Sequence, residues 1–216
     1  MYLDEYSKQQ LQNIISGACN TESKSTLHAT RNFLCTSFTT NTKIEKNFEH
    51  QQRIKEEQKL ALISFASKNE LIREDFIDSE LYLTEGGEAK VFLSLDGTHV
   101  IKINDGVYYN TWLDFLNSIC IHNLLFPETS YELLGFSLID ELFAIVKQNF
   151  VVSNQDVDLE EVETILNTNG FIKIKNIDYY NQEIGIRLED IHDENVIKQN
   201  GVYFFIDTVF YLDVKE

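Results

Sequence analysis

The chain has 216 residues, 43% of them apolar, with 15 Phe and 10 Tyr. That suits one globular domain with a substantial core, or a core domain with a helical appendage, and excludes an intrinsically disordered chain. The net charge of −17 repels phosphate backbones, so no nucleic-acid partner is expected, and any anionic substrate would need local cations.

No apolar run approaches the ~20 residues of a membrane span, and the polar stretch from Met1 to Gln12 lacks a signal peptide's apolar segment. No membrane partner is expected, and the chain reads as cytoplasmic. Cys19, Cys35 and Cys120 are an odd set with wide spacings and no CxxC, which points to free thiols in a reducing compartment. The histidines show no pair at metal-ligand spacing.

Residues 1–80 and 81–216 differ in character. The first stretch, rich in Gln, Asn, Ser, Thr, Glu and Lys, reads as an N-terminal helical extension. Asp4 to Ile15 is predicted as a short helix with Tyr6, Leu11, Ile14 and Ile15 apolar. Ser16 to Thr42 reads as irregular. Lys43 to Lys68 is a run of strong helix formers with Ile44, Phe48, Leu62, Phe65 and Ala66 along an apolar stripe. Lys68 to Glu80 is a connector.

From Leu81 the pattern changes to strands. Leu81–Thr84, Lys90–Leu95 and Thr98–Asn104 are short β runs broken by Gly86-Gly87 and by Asp96-Gly97, a strong hairpin signal. Tyr108 to Leu125 reads as a helix with Trp112, Phe115, Leu116, Ile119 and Leu124 turned inward, stopped before Pro127. His122 and Asn123 at its end brace the turn into Pro127. Tyr131–Leu138 and Leu142–Phe150 return to strand. Asp158 with Glu161 is a capping pair opening a helix that Asn169-Gly170 ends. Ile184–Leu188, Asn195–Lys198 and Gly201–Ile206 are strands, the last two joined by a tight Asn200-Gly201 turn. The class is α+β.

The closing hairpin carries the chemistry. With Asn200-Gly201 as a two-residue turn, Gln199 faces Val202, Asn195 faces Ile206, and Asn195 and Asp207 meet at the open end. Asp190 lies in the loop feeding that end. Two carboxylates and an amide at one point suit a hard cation such as Mg²⁺, which takes one or two carboxylates plus substrate phosphates.

Asp190-Ile-His-Asp-Glu-Asn195 resembles the D-x-x-x-x-N catalytic loop of protein kinases and aminoglycoside phosphotransferases, and Asp207 the metal-binding Asp that follows it. The resemblance implies a base at Asp190 and metal ligands at Asn195 and Asp207. Upstream, Glu85-Gly86-Gly87-Glu88-Ala89-Lys90-Val91-Phe92, then Val100-Ile101-Lys102-Ile103, resemble a kinase glycine-rich loop and its third-strand lysine. One glycine of three matches, at Gly86. Lys102 would then reach ATP phosphates, Val91 would lie over the base, and the backbone of Lys147 to Asn149, centred on Gln148, would pair with adenine. For Lys102 the alternative is a solvated lysine on a strand edge. His192 is either a proton shuttle or a loop histidine bonded to backbone.

The stretch from about Leu81 to Leu212 resembles the kinase-like domain of polyvalent proteins from bacterial mobile elements and phages. HNLLFPETSYELLGF, DYYNQEIGI, LEDIHDENV and FFIDTVFYL carry the likeness. It implies a bacterial or phage origin and a reduced kinase-like fold: an antiparallel small-lobe sheet with a helix, a catalytic hairpin and a truncated C-lobe. The sequence departs from kinases in several places. Leu188 stands where H-R-D has His, Asp207-Thr208-Val209 lacks the glycine of D-F-G, and Asp114 is the only acid on the helix after Lys102. The expected function is an ATP- and Mg²⁺-dependent phosphotransferase with an unspecified acceptor, the helix from Lys43 to Lys68 filling the place of the missing C-lobe. The alternative is a non-catalytic interaction module with the N-terminal helices as its partner surface.

Overall fold

The computed structural model describes residues 3–19, 25–38, 48–73, 81–87 and 89–212. The expected helical start at 43–47, the connector at 74–80 and Glu88 of the glycine loop lie outside them. The chain divides into two compact units, one of residues 1–17, 117–130 and 151–216, the other of residues 18–116 and 131–150.

In the second unit, strands β1 (Tyr82–Glu85), β2 (Ala89–Leu93), β3 (His99–Asn104), β4 (Tyr131–Leu138) and β5 (Leu142–Asn149) form an antiparallel sheet in the order β1-β2-β3-β5-β4. The Asp96-Gly97 turn forms as expected. Gly97 takes φ +68°, while the Asp96 carboxylate accepts from Ser94 Oγ, Thr98 N and Thr98 Oγ1. Those bonds, Ser94's first, hold the Asp96 carboxyl well below the usual range.

Helix α2 (Thr26–Phe38) corrects the expectation that Ser16 to Thr42 is irregular. Its buried positions, Leu27, Thr30, Arg31, Leu34 and Cys35, keep helical spacing. Two of the five are Thr and Arg, which concealed the stripe. Arg31 is buried and donates from Nη1 to the Ala18 carbonyl at 2.8 Å, pinning the chain just ahead of Cys19. Cys19 and Cys35 are thereby neighbours and form a disulfide, correcting the reading of them as free thiols. Cys120 is free and buried.

Helix α3 (Phe48–Lys68) packs within this unit. Phe65 stacks on Phe33 of α2 at 4.5 Å, Lys55 Nζ donates to the carbonyls of Gly106 and Tyr109, and Gln58 Oε1 accepts from Leu113 N. Its apolar face is covered by α2, and α2 in turn lies on β4.

Helix α4 (Trp112–Leu125) starts later than the expected Tyr108 because Thr111 caps it. Thr111 Oγ1 accepts from Asp114 N and donates to Asp114 Oδ2, a reciprocal cap. Burial pushes the Asp114 carboxyl up, against the pull of the Thr111 hydrogen bonds and of Lys55.

In the first unit, α1 (Glu5–Ile15) is capped by Asp4 and buries Leu11 and Ile14, while Tyr6, among its expected apolar positions, is exposed. Helix α5 (Leu159–Thr168) has Asp158 at its N-cap, as expected, and ends at Asn169 with Gly170 at φ +82°. Glu161, the expected reciprocal cap, instead takes Lys198 Nζ at 2.7 Å and Tyr203 OH at 2.5 Å. Strands β6 (Ile172–Lys175), β7 (Asp178–Asn181), β8 (Ile186–Glu189) and β11 (Val209–Leu212) form a sheet in the order β11-β8-β7-β6, and β9 (Val196–Gln199) pairs with β10 (Val202–Phe205). Strands β6, β7 and β11 lie beyond those expected from sequence.

Reduction of the disulfide opens a loop of about 16 residues and should cost about 3 kcal/mol. Denaturant melts with and without a dithiol measure this. Cys19→Ser should match the reduced protein and be insensitive to the dithiol.

Candidate functional site

The expected hairpin register is present. Val202 faces Gln199 and Phe205 faces Val196, with Asn200 and Gly201 both at positive φ, the geometry of a type I′ turn. One step further, Ile206 N donates to the Asn195 carbonyl at 3.0 Å. On the other side, Val209 of β11 faces Glu189 of β8, the residue before Asp190. Asp190 and the segment Asp207-Thr208 therefore leave the same end of the β8–β11 pair. Two sets of strand pairing, one expected and one not, gather Asp190, Asn195 and Asp207.

Asp190 has φ +66°, an uncommon conformation for a residue other than Gly. Its neighbours hold it there. Its own N–H donates to Asp178 Oδ1 at 3.4 Å, and Ile191 N donates to the Ile177 carbonyl. Asn195 Nδ2 donates to the Asp190 carbonyl at 2.9 Å and to Asp190 Oδ2 at 2.7 Å. Both of those partners can only accept, which fixes the amide orientation and leaves Asn195 Oδ1 as its remaining acceptor.

His192 lies 3.4 Å from Asp190 Oδ1 through Nε2, and its Nδ1 accepts from Glu194 N at 3.3 Å. In the neutral ring the proton is thus on Nε2, facing the carboxylate. Asp190, His192, Asn195 and Asp207 are all half-buried, open to solvent yet held. Among the described residues no three His, Cys, Asp or Glu side chains form a ready metal cluster.

Lys102 lies on β3, facing Val91 on β2 and Val146 on β5, inside the sheet and not at its edge. It is only 6% exposed, so the solvated-lysine alternative does not hold. Its Nζ lies 3.3 Å from Tyr131 OH and 5.4 Å from that ring's centroid. Asp114 caps its own helix with Thr111. Gly86 closes the β1–β2 turn by donating its N–H to Ala89 O, while Gly87 lies under the Tyr108 hydroxyl.

Gln148 is buried and faces both Val100 and Tyr131. Phe150 N donates to Thr98 O, and the two-residue alternation of a strand turns the Gln148 backbone the same way, toward β3. Asn149 is the residue whose backbone turns to the other side, one step past the start of β4.

A family model described as a serine/threonine/tyrosine kinase found in polyvalent proteins matches residues 55–214. The chain belongs to that family. No curated relative and no solved structure matches it. The kinase match opens inside α3 and runs through β11, so it takes in both the Lys102 strand and the hairpin.

Sequence reasoning missed what surrounds the kinase residues. Tyr131 is an ordinary strand residue by pattern and Asp178 falls outside the expected strands, and only pairing brings them to Lys102 and Asp190. The one available signal was the Val209–Leu212 run, apolar and aromatic, which forms β11.

Asn tolerates positive φ, so Asp190→Asn should keep stability close to the parent. Asp190→Ala, which also loses the Asn195 bond, should lose about 1–3 kcal/mol. Urea denaturation of the two variants checks the difference.

Proposed function

We propose that this kinase-family chain is an ATP- and Mg²⁺-dependent phosphotransferase acting on an acceptor hydroxyl. The observation that carries the reading is the Asn195–Asp190 pair at the end of the β8–β11 ladder beside Asp207. One amide orients a carboxylate and keeps an oxygen for a cation. Mg²⁺ needs few protein ligands when phosphates supply the rest, so Asp207 and Asn195 Oδ1 are a chemically fitting set without a third carboxylate.

In this reading Asp190 accepts the acceptor's proton as its oxygen attacks the γ-phosphorus, and ADP leaves. Mg²⁺, when bound, neutralises charge on the phosphates. His192, with its Nε2 proton toward Asp190, holds that carboxylate in place. Lys102 supplies phosphate-binding charge that is already desolvated, and Gly86 and Val91 border the nucleotide. Adenine pairing falls to the backbone of Lys147 to Asn149, around Gln148. The non-catalytic alternative draws on Asp114, the only acid on α4, whose carboxylate is engaged by Thr111.

ATP with Mg²⁺ should raise the melting temperature, and ATP with chelator should not. Asp207→Ala should abolish the shift, and Lys102→Met should reduce it. Phosphoryl transfer or ATP hydrolysis, lost in Asp190→Asn while the shift persists, marks the active enzyme. A shift without turnover marks the non-catalytic alternative, and no shift in the parent chain at millimolar ATP-Mg²⁺ overturns the nucleotide reading.

A further inference from the structure

His122 is fully buried and belongs to none of the roles assigned above. Its Nε2 lies 2.9 Å from the Thr129 carbonyl and its Nδ1 lies 2.7 Å from Thr208 Oγ1. A carbonyl only accepts, so the Nε2 carries the proton, and in the neutral ring Nδ1 accepts the Thr208 hydroxyl hydrogen. Thr129 Oγ1 donates to the Phe205 carbonyl at 2.6 Å, and Phe210 N donates to Ser118 Oγ at 2.9 Å.

Three of these four buried bonds end on one segment, and the fourth joins His122 to Thr129. Phe205, Thr208 and Phe210 bracket Asp207 on both sides. Their partners, Ser118, His122 and Thr129, come from helix α4 and the turn that follows it. Ring packing runs alongside: Phe126 stacks on Phe205 at 4.4 Å and lies 6.1 Å from Phe210. The segment carrying Asp207 has no regular pairing of its own between Phe205 and Val209. Ile206 N is held by the Asn195 carbonyl at 3.0 Å, and beyond it the Thr208 side chain fixes the path through His122.

We infer that His122, acting through Thr208 and aided by Thr129, is the positioning residue for Asp207. The inference rests on the reading of Asp207 as a metal ligand. The imidazole reads the residue directly after the metal carboxylate, where a kinase D-F-G segment has no hydroxyl. Thr208 thus replaces the freedom of that segment with a directional hydrogen bond. Loss of the Thr208 bond would loosen the backbone next to Asp207, and hard cations demand short, well-placed oxygens.

The test compares Thr208→Val, which keeps shape and loses the hydroxyl, with Thr208→Ser, which keeps the hydroxyl, and with His122→Gln. Two readouts are used on the full chain. The first is backbone hydrogen exchange over residues 205–210 without ligand. The second is the affinity for Mn²⁺ with a non-hydrolysable ATP analogue, followed by electron paramagnetic resonance, against the analogue's metal-free affinity.

Thr208→Val should exchange faster over this segment and lose about 10–100-fold in metal-dependent affinity, the usual cost of removing a group that orients a metal ligand. Metal-free affinity should stay unchanged and Thr208→Ser should behave as the parent. Unchanged exchange in both Thr208→Val and His122→Gln overturns the positioning role outright, whatever the nucleotide does. Faster exchange with unaltered metal affinity marks a purely structural contact and also overturns it. A parent chain that binds no metal–nucleotide at all removes the reading of Asp207 and with it the catalytic import of His122, and exchange then measures the contact alone.

Discussion

The end of the molecule that carries the kinase residues depends on one side-chain amide. Asn195 donates both of its hydrogens to Asp190, one to the main chain and one to the carboxylate, and accepts Ile206 N with its own carbonyl. A left-handed aspartate costs on the order of 1–3 kcal/mol unless its surroundings over-determine it. Here they do: an amide on one side, the Asp178 carboxylate on its N–H, and His192 on its second oxygen. A residue placed this way has few alternative rotamers, and in the proposed enzyme that aims the proton-accepting oxygen in advance.

Lys102 poses the opposite problem, a cation inside a sheet. An ammonium buried without a partner would be expensive. The Tyr131 hydroxyl and the face of the same ring provide an oxygen and a quadrupole in one residue. Neither carries a full negative charge, and in the proposed enzyme the phosphates of ATP would bring one to the ammonium. Asp114, the acid that order along the chain offered, has its own work at the start of α4, where Thr111 and Lys55 offset its burial.

What was legible in the sequence was what local rules govern. Asp96-Gly97 and Asn200-Gly201 announce turns because few residues accept positive φ, and once the second turn is placed, counting outward puts Asn195 opposite Ile206. The strands of the five-stranded sheet followed from alternation and turn spacing. Helix α2 was hidden because its inward face uses Thr30 and Arg31, whose burial is made tolerable by hydrogen bonds to Thr26 and Ala18 that no periodicity reveals. The disulfide was hidden with it, since the spacing of Cys19 and Cys35 has meaning only once α2 exists. The pairing of β11 with β8 is non-local, and the convergence of Asp190 and Asp207 needed it.

The acidity of the chain gives these details a common sense. At −17 the protein as a whole disfavours a nucleotide, and Asp178, Glu189, Asp190, Asp193 and Asp207 add to that near the hairpin. Of these, Glu189 has Arg187 and Asp190 has Asn195 and His192 as hydrogen-bonding or ionic neighbours. In the proposed enzyme this acidity favours a divalent cation before it favours ATP, and bound Mg²⁺ would then lessen the repulsion the phosphates meet. Such a site is selective by order of charge: nucleotide without metal meets repulsion, metal without nucleotide finds too few ligands, and only the pair satisfies both.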